Sequence, residues 1–290
     1  MTKIITALSE VSDRYDALFC DLWGCVHNGI APFKDAVNAL LAFKETGGTV
    51  ILVTNAPRPR ASVATQLERM GLPRACYDDI ATSGDSARTA MFQGAVGQKV
   101  WFIGEDHDQS FFKPLQIIDD PLEITQVSLD DAEGIVCCGP FDPHADPSDM
   151  RPEFLAAKQR GLKLLCANPD IVVDRGESRE WCAGALAALY TEMGGDSLYF
   201  GKPHPPIYDL ARRRLAAIRP DTPDSRILAV GDGIGTDVKG AMGEDIDSLF
   251  ITGGLAAAET KTSHQPDADA LSAYLQREMS NPSYAIGFFR

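Results

Sequence analysis

The sequence predicts an α/β protein on a mainly parallel sheet, with a second domain set into the chain. Three observations carry this reading. Short apolar runs alternate with segments whose apolar residues recur at helical spacing, almost from end to end. The chain of 290 residues is long enough for one large or two ordinary domains. Two stretches in its middle are punctuated as loops: Phe111 to Ala132 is acidic, and Gly139 to Met150 carries prolines at 140, 143 and 147 among acids and a histidine.

The strands read in order are Ala17 to Leu22, Thr49 to Thr54, Val100 to Ile103, Gly134 to Cys138, Lys163 to Ala167, Ile227 to Val230 and Ser248 to Ile251. Each is a short run of branched or aromatic residues bounded by polar or turn residues, the pattern of a strand buried on both faces. Helices are read over Asp35 to Thr46, Arg60 to Met70, Asp85 to Phe92, Pro152 to Gln159, Trp181 to Met193, Pro206 to Ala217 and Ala268 to Met279. The punctuation places a middle domain at residues 84–198, with 1–83 and 199–290 forming the other.

Composition narrows the function classes. Lys and Arg number 27 against 41 Asp and Glu, a formal net charge of −14, so the surface repels nucleic-acid backbones and anionic lipid. Neither nucleic acid nor membrane is therefore an expected partner. No apolar run approaches the length of a membrane span, and the seven cysteines lack paired spacing, with Cys20, Cys137, Cys138 and Cys166 inside apolar runs. Buried thiols in a reducing, cytoplasmic compartment are the expectation.

In open parallel sheets functional residues gather where strands end, so the residues after each strand come first. Asp21 closes the first strand in ALFCDLWGCVHNG, with glycines at 24 and 29 allowing abrupt turns. The strand VILVTNA ends in Thr54 and Asn55, short donors suited to a phosphate or carboxylate oxygen. Lys202 in YFGKPHPPIYDLA precedes a helix N-terminus, a place favourable to anions. In ILAVGDGIGTDVKGA, Asp232 and Asp237 follow a strand as a hard-oxygen pair suited to Mg²⁺. Taken singly, each has a simpler reading as a cap or turn. Asp142, His144 and Asp146 alternate like ligands, but their prolines favour a solvated turn over a metal site.

The order of these motifs resembles the four-motif pattern of the haloacid dehalogenase superfamily. The long insertion between the second and third motifs, with CANPDIVV, AGALAALY and FGKPHPPIYDLA, resembles its class IIA branch, which holds p-nitrophenyl phosphatases and nucleotide and sugar phosphatases. The resemblance implies a doubly wound, Rossmann-like parallel-sheet core with an inserted α/β cap, and a Mg²⁺-dependent phosphatase acting on a small phosphorylated metabolite. It implies that Asp21 is the nucleophile, forming an aspartyl-phosphate, and that Asp21, Asp232 and the backbone carbonyl of Trp23 bind the Mg²⁺ ion, with Asp237 as a further metal ligand or an anchor behind one. Thr54, the backbone of Asn55 and Lys202 would hold the phosphoryl group, and Asn168 and Asp170 of the cap would line the substrate site. These roles are mutually consistent, because three carboxylates repel a phosphate dianion unless a divalent cation and a lysine offset them. Relatives often pair through the cap, so a homodimer is among the expected states.

One position departs from the pattern. Most phosphatases of the superfamily carry a second aspartate two residues after the nucleophile, as general acid and base; here that residue is Trp23. An indole only donates, so a contribution of roughly 10² to 10⁴ in rate is missing unless another group supplies it. His27, four residues on, is the nearest titratable substitute, though a structural role suits it better. The expectation is a slow phosphatase preferring good leaving groups. The alternatives are a catalytically impaired relative that binds a phosphorylated metabolite and, more weakly, a metal-free dehalogenase.

Overall fold

The computed structural model describes residues 2–113, 120–175 and 178–290, without the side chains of residues 174 and 175. Its strands, in chain order, are β1 (Lys3–Ile4), β2 (Ala17–Cys20), β3 (Thr49–Thr54), β4 (Asp79–Thr82), β5 (Lys99–Ile103), β6 (Thr125–Gln126), β7 (Gly134–Cys137), β8 (Lys163–Cys166), β9 (Val172–Arg175), β10 (Ser178–Trp181), β11 (Asp196–Tyr199), β12 (Ile227–Gly231), β13 (Asp247–Ile251) and β14 (Tyr284–Ile286). The α-helices are α1 (Lys34–Glu45), α2 (Arg60–Met70), α3 (Ser83–Phe92), α4 (Arg151–Gln159), α5 (Ala183–Glu192), α6 (Pro205–Ile218), α7 (Lys239–Gly243) and α8 (Ala268–Arg277).

The chain divides into two compact units, Met1–Thr54 with Ala64–Ala81 and Tyr208–Arg290, and Asn55–Val63 with Thr82–Ile207. This division assigns 55–63, 82–83 and 199–207 to the unit that also holds the middle of the chain.

In the first unit a seven-stranded sheet runs β1-β14-β13-β12-β2-β3-β4. The pairings of β2 with β12 and β3, of β13 with β12 and β14, and of β1 with β14 are all parallel. From β2 the chain moves outward to β3 and β4 on one side, then returns on the other side as β12. Strand order therefore reverses beside β2, the switch point at which open α/β sheets leave a crevice at their carboxyl ends. Residues of β2 and β3 are buried throughout, as expected of strands covered on both faces. Helix α8 turns Leu271, Tyr274 and Leu275 onto Phe250 and Ala285.

The second unit is layered in its own right. Its sheet, β11-β8-β7-β5-β6, is parallel throughout. Successive side chains of a strand point to opposite faces, and the core divides accordingly. Ile135, Cys137, Leu164 and Cys166 pack with Phe154 of α4 and Leu186 and Tyr190 of α5, while Val136, Cys138, Leu165 and Ala167 pack with Ala87 and Met91 of α3. Burying both faces explains why these strands read as unbroken apolar runs.

The α/β expectation holds, and some local readings are corrected. The segment between Asn168 and Ala183, for which the sequence predicts no strand, contains the antiparallel hairpin β9–β10. Trp181 does not start a helix; it ends β10, and α5 begins at Ala183. The first predicted strand ends at Cys20 rather than Leu22, because the chain folds back from Leu22 onward. Asp142 accepts the His144 amide at 2.9 Å and Asp146 accepts that of Ser148 at 2.8 Å, the bonds of a turn.

Candidate active site

Asp21 and Asp232 follow adjacent parallel strands, so the register of β2 against β12 brings them to one end of the sheet. The Asp21 amide donates to the carbonyl of Val230 at 2.8 Å, extending that ladder by one bond. The chain then folds back sharply: the carbonyl of Leu22 accepts from the amides of Val26 at 2.8 Å and His27 at 3.1 Å, and Gly24 donates to the carbonyl of His27 at 2.9 Å. Gly24 makes this turn at a φ of +75°, in the left-handed region that glycine enters without strain. The turn returns Cys25 to the carboxylates. One ligand atom from each of Asp21, Cys25 and Asp232 lies within 4.8 Å of the others, and all three side chains are buried.

Two glycines shape the space around Asp232. A Cβ on Gly24 would lie 2.2 Å from Asp232 Oδ2, and one on Gly254 would lie 2.0 Å from the same atom. The amide of Leu255 donates to that oxygen at 3.2 Å. Asp237 stands outside the Asp21–Cys25–Asp232 group and is tied into its own π-helical turn, Ile234–Val238. Its Oδ2 accepts from the Gly233 amide at 3.1 Å and the Thr236 hydroxyl at 3.4 Å, and a Cβ on Gly231 would meet its carboxylate carbon at 2.0 Å. Thr54 is buried at the end of β3, the other neighbour of β2.

Cys25 was not singled out in the sequence, and only the Gly24 turn signals it. Burial, followed by the nearby charges of Asp232 and Asp21, pushes its thiol well above the usual range. Two buried carboxylates this close are costly to hold without a cation. The donor set fits a divalent ion: Asp21 and Asp232 offer hard oxygens, and the glycine cradle keeps one of them in position.

The Trp23 position is filled by packing. The rings of Trp23 and His27 stand edge to face, with centroids 5.4 Å apart, and a Cβ on Gly29 would lie 2.3 Å from the Trp23 six-membered ring. The Gly29 amide donates to His27 Nδ1 at 3.0 Å, so that nitrogen is an acceptor and carries no proton. Burial holds the His27 pKa down to about 4, which keeps the ring neutral at physiological pH. His27 is thus a packing and turn residue.

The remaining candidates lie in the second unit. Asn55 Oδ1 accepts the Lys202 amide at 2.7 Å, while its Nδ2 donates to the Lys202 carbonyl at 3.1 Å and to Asp170 Oδ1 at 2.8 Å. Asn168 Oδ1 accepts the Asp170 amide at 3.0 Å. The Asn55 side chain therefore anchors the backbone of Lys202. Gly201 permits this knot, since a Cβ there would lie 2.4 Å from Asn55 Oδ1. Gly184 plays a similar part: the start of α5 packs on the 168–170 backbone so closely that a Cβ would meet the Pro169 carbonyl oxygen at 2.1 Å.

An α/β fold with buried carboxylates at a sheet switch point and an inserted α/β unit defines a class of hydrolase. Residues 18–117 match the model of haloacid dehalogenase-like hydrolases, and residues 199–275 match a second model of hydrolases like them. A crystal structure of a haloacid dehalogenase-like hydrolase from Brucella suis is 38% identical, covers 99% of this chain and 100% of its own, and superimposes with a TM-score of 0.85. The chain belongs to the haloacid dehalogenase-like hydrolase family. It is also similar to a D-glycerol 3-phosphate phosphatase of Mycobacterium tuberculosis, 26% identical over 258 residues, which are 87% of this chain and 67% of that protein. A crystal structure of a glycerol phosphate phosphatase from M. tuberculosis in complex with calcium is 25% identical, covers 88% of this chain and 71% of its own, and gives a TM-score of 0.65.

Proposed function

We propose that the protein is a divalent-cation-dependent phosphomonoesterase of small phosphorylated metabolites, slow on poor leaving groups. The observation that carries this reading is the convergence of Asp21 and Asp232 at the ends of neighbouring strands, both buried and within 4.8 Å. Similarity to a D-glycerol 3-phosphate phosphatase supports a phosphomonoester as substrate, and the calcium complex of a relative supports a divalent cation.

In this reading Asp21 attacks phosphorus and carries the phosphoryl group as an aspartyl-phosphate, dividing one difficult displacement into two. Asp21, Asp232 and the Trp23 carbonyl hold Mg²⁺, with Asp237 as a further ligand or an anchor behind one. When bound, the ion supplies charge that offsets the carboxylates and the phosphate oxygens. Thr54 and the Asn55 backbone bind phosphoryl oxygens. Lys202 neutralises their charge, held by Asn55, and Asn168 and Asp170 border the substrate. A neutral, packed His27 does not replace the missing aspartate as an acid, so departure of the leaving oxygen rests on its own acidity.

Trp23 also keeps a second reading open, a relative that binds a phosphorylated metabolite without turnover. The deciding experiment is phosphate release from p-nitrophenyl phosphate with and without Mg²⁺, wild type beside Asp21→Asn. Metal-dependent release lost in Asp21→Asn is the expected result. Binding of phosphate and Mg²⁺ without release would move the assignment to the second reading.

A further inference from the structure

We infer that Asp21, Cys25 and Asp232 together form a site for a thiophilic divalent cation of the zinc or cadmium class. The inference goes beyond the phosphatase reading, because it concerns a different class of cation and a sulfur ligand. Three donors of two chemical kinds converge within 4.8 Å, with Asp21 8%, Cys25 1% and Asp232 6% exposed. Their placement is built into the backbone. Asp21 leaves β2 on a sheet hydrogen bond, the Gly24 turn returns Cys25, and Asp232 is confined between Gly24, Gly254 and the Leu255 amide.

Chemistry separates this cation from Mg²⁺. Magnesium takes oxygen ligands in octahedral geometry and gains nothing from sulfur. Zinc and its heavier congener take thiolate and carboxylate ligands and accept a tetrahedral set, here two oxygens, one sulfur and a fourth position for water or another small ligand. On binding, an S–H bond is replaced by an S–metal bond and the proton passes to the buffer, with no change of oxidation state. The two classes of cation share Asp21 and Asp232, so they must compete. A bound thiophilic cation would also hold the carboxylate of Asp21 away from other chemistry.

The test is a titration of the reduced, chelator-treated full chain with Cd²⁺ in the absence of substrate, following the ultraviolet sulfur-to-cadmium charge-transfer band. The expected result is saturation at one cation per chain, loss of the band in Cys25→Ser, weaker binding in Asp232→Asn and displacement by excess Mg²⁺. A band absent from the wild type, or unchanged in Cys25→Ser, overturns the site and in the latter case assigns binding to another cysteine. Should Cys25→Ser fail to fold, as read by circular dichroism, competition on the wild-type chain still decides: a band indifferent to excess Mg²⁺ rejects the shared site. Failure of the phosphatase reading appears separately, as wild-type protein without p-nitrophenyl phosphate turnover, and leaves this titration untouched.

Discussion

The rings of Trp23 and His27 stand edge to face, 5.4 Å between centroids and 78° between planes. An aromatic packing unit thus occupies the position two residues after Asp21, and the proposed mechanism has no acid there. Trp23→Asp supplies one. It is expected to raise turnover by about 10² on alkyl phosphates, and by much less on p-nitrophenyl phosphate, whose leaving group needs no proton. Steady-state kinetics on the two substrates measures the difference; an equal change on both would count against a missing general acid.

His27 makes stability depend on pH. Its folded pKa of about 4 lies below its ordinary 6.5, so the unfolded chain binds a proton first as pH falls. The stability from its neutral burial is complete above about pH 6.5 and is lost progressively as pH falls towards about 4, a loss of roughly 3 kcal/mol across that window. His27→Asn, whose side-chain oxygen accepts from Gly29 without titrating there, should flatten this part of the curve in urea denaturation. A slope identical to the wild type would exclude His27 as its source.

Gly254→Ala places a methyl group about where Asp232 Oδ2 now sits, 2.0 Å from it, without demanding a positive φ. The carboxylate must shift by about 1 Å or slightly more to reach an allowed separation. A misplacement on the order of 1 Å costs roughly 10² in rate. The expected outcome is a higher Mg²⁺ concentration for half-activation and a turnover reduced by that order, with the melting temperature changed much less. Wild-type Mg²⁺ activation in this variant would show that the cradle does not position Asp232.

Asn55→Ala removes both bonds to the Lys202 backbone and the one to Asp170. Losing these bonds around the buried Lys202 backbone should cost about 1 to 3 kcal/mol in stability. Asn55→Asp retains an acceptor for the Lys202 amide but sets a carboxylate against Asp170, and is expected to be the less stable of the two. Thermal unfolding ranks the variants. A similar drop in kcat/KM for both would identify Asn55 as a positioning residue for Lys202.

Much of the molecule was legible in the chain itself. The runs that become β2, β3, β7, β8 and β12 are buried on both faces, so their apolar character is continuous and local. Asp21, Thr54 and Asp232 stand out as candidates by the same signal, since each stands at the end of such a run or just beyond it. The short strands β1, β4, β6, β11 and β14 are not legible in the sequence, because two to four residues carry too little pattern and take their shape from the neighbour they pair with. The β9–β10 hairpin carries little apolar pattern for a related reason: five of its eight strand residues are polar, and its pairing rests on backbone bonds.

The sequence by itself determined the alternation of elements, the order of the motifs and the residue types at each strand end, because these follow from local periodicity and turn chemistry. Tertiary structure alone decided which ends meet. Strands β2 and β12 lie more than two hundred residues apart in the chain, and only their parallel pairing joins Asp21 to Asp232. The Gly24 turn then adds Cys25, burial keeps His27 neutral, and the Asn55 side chain is committed to the Lys202 backbone. Each of these depends on desolvation or on a contact between distant segments, physical quantities that no stretch of neighbouring residues contains.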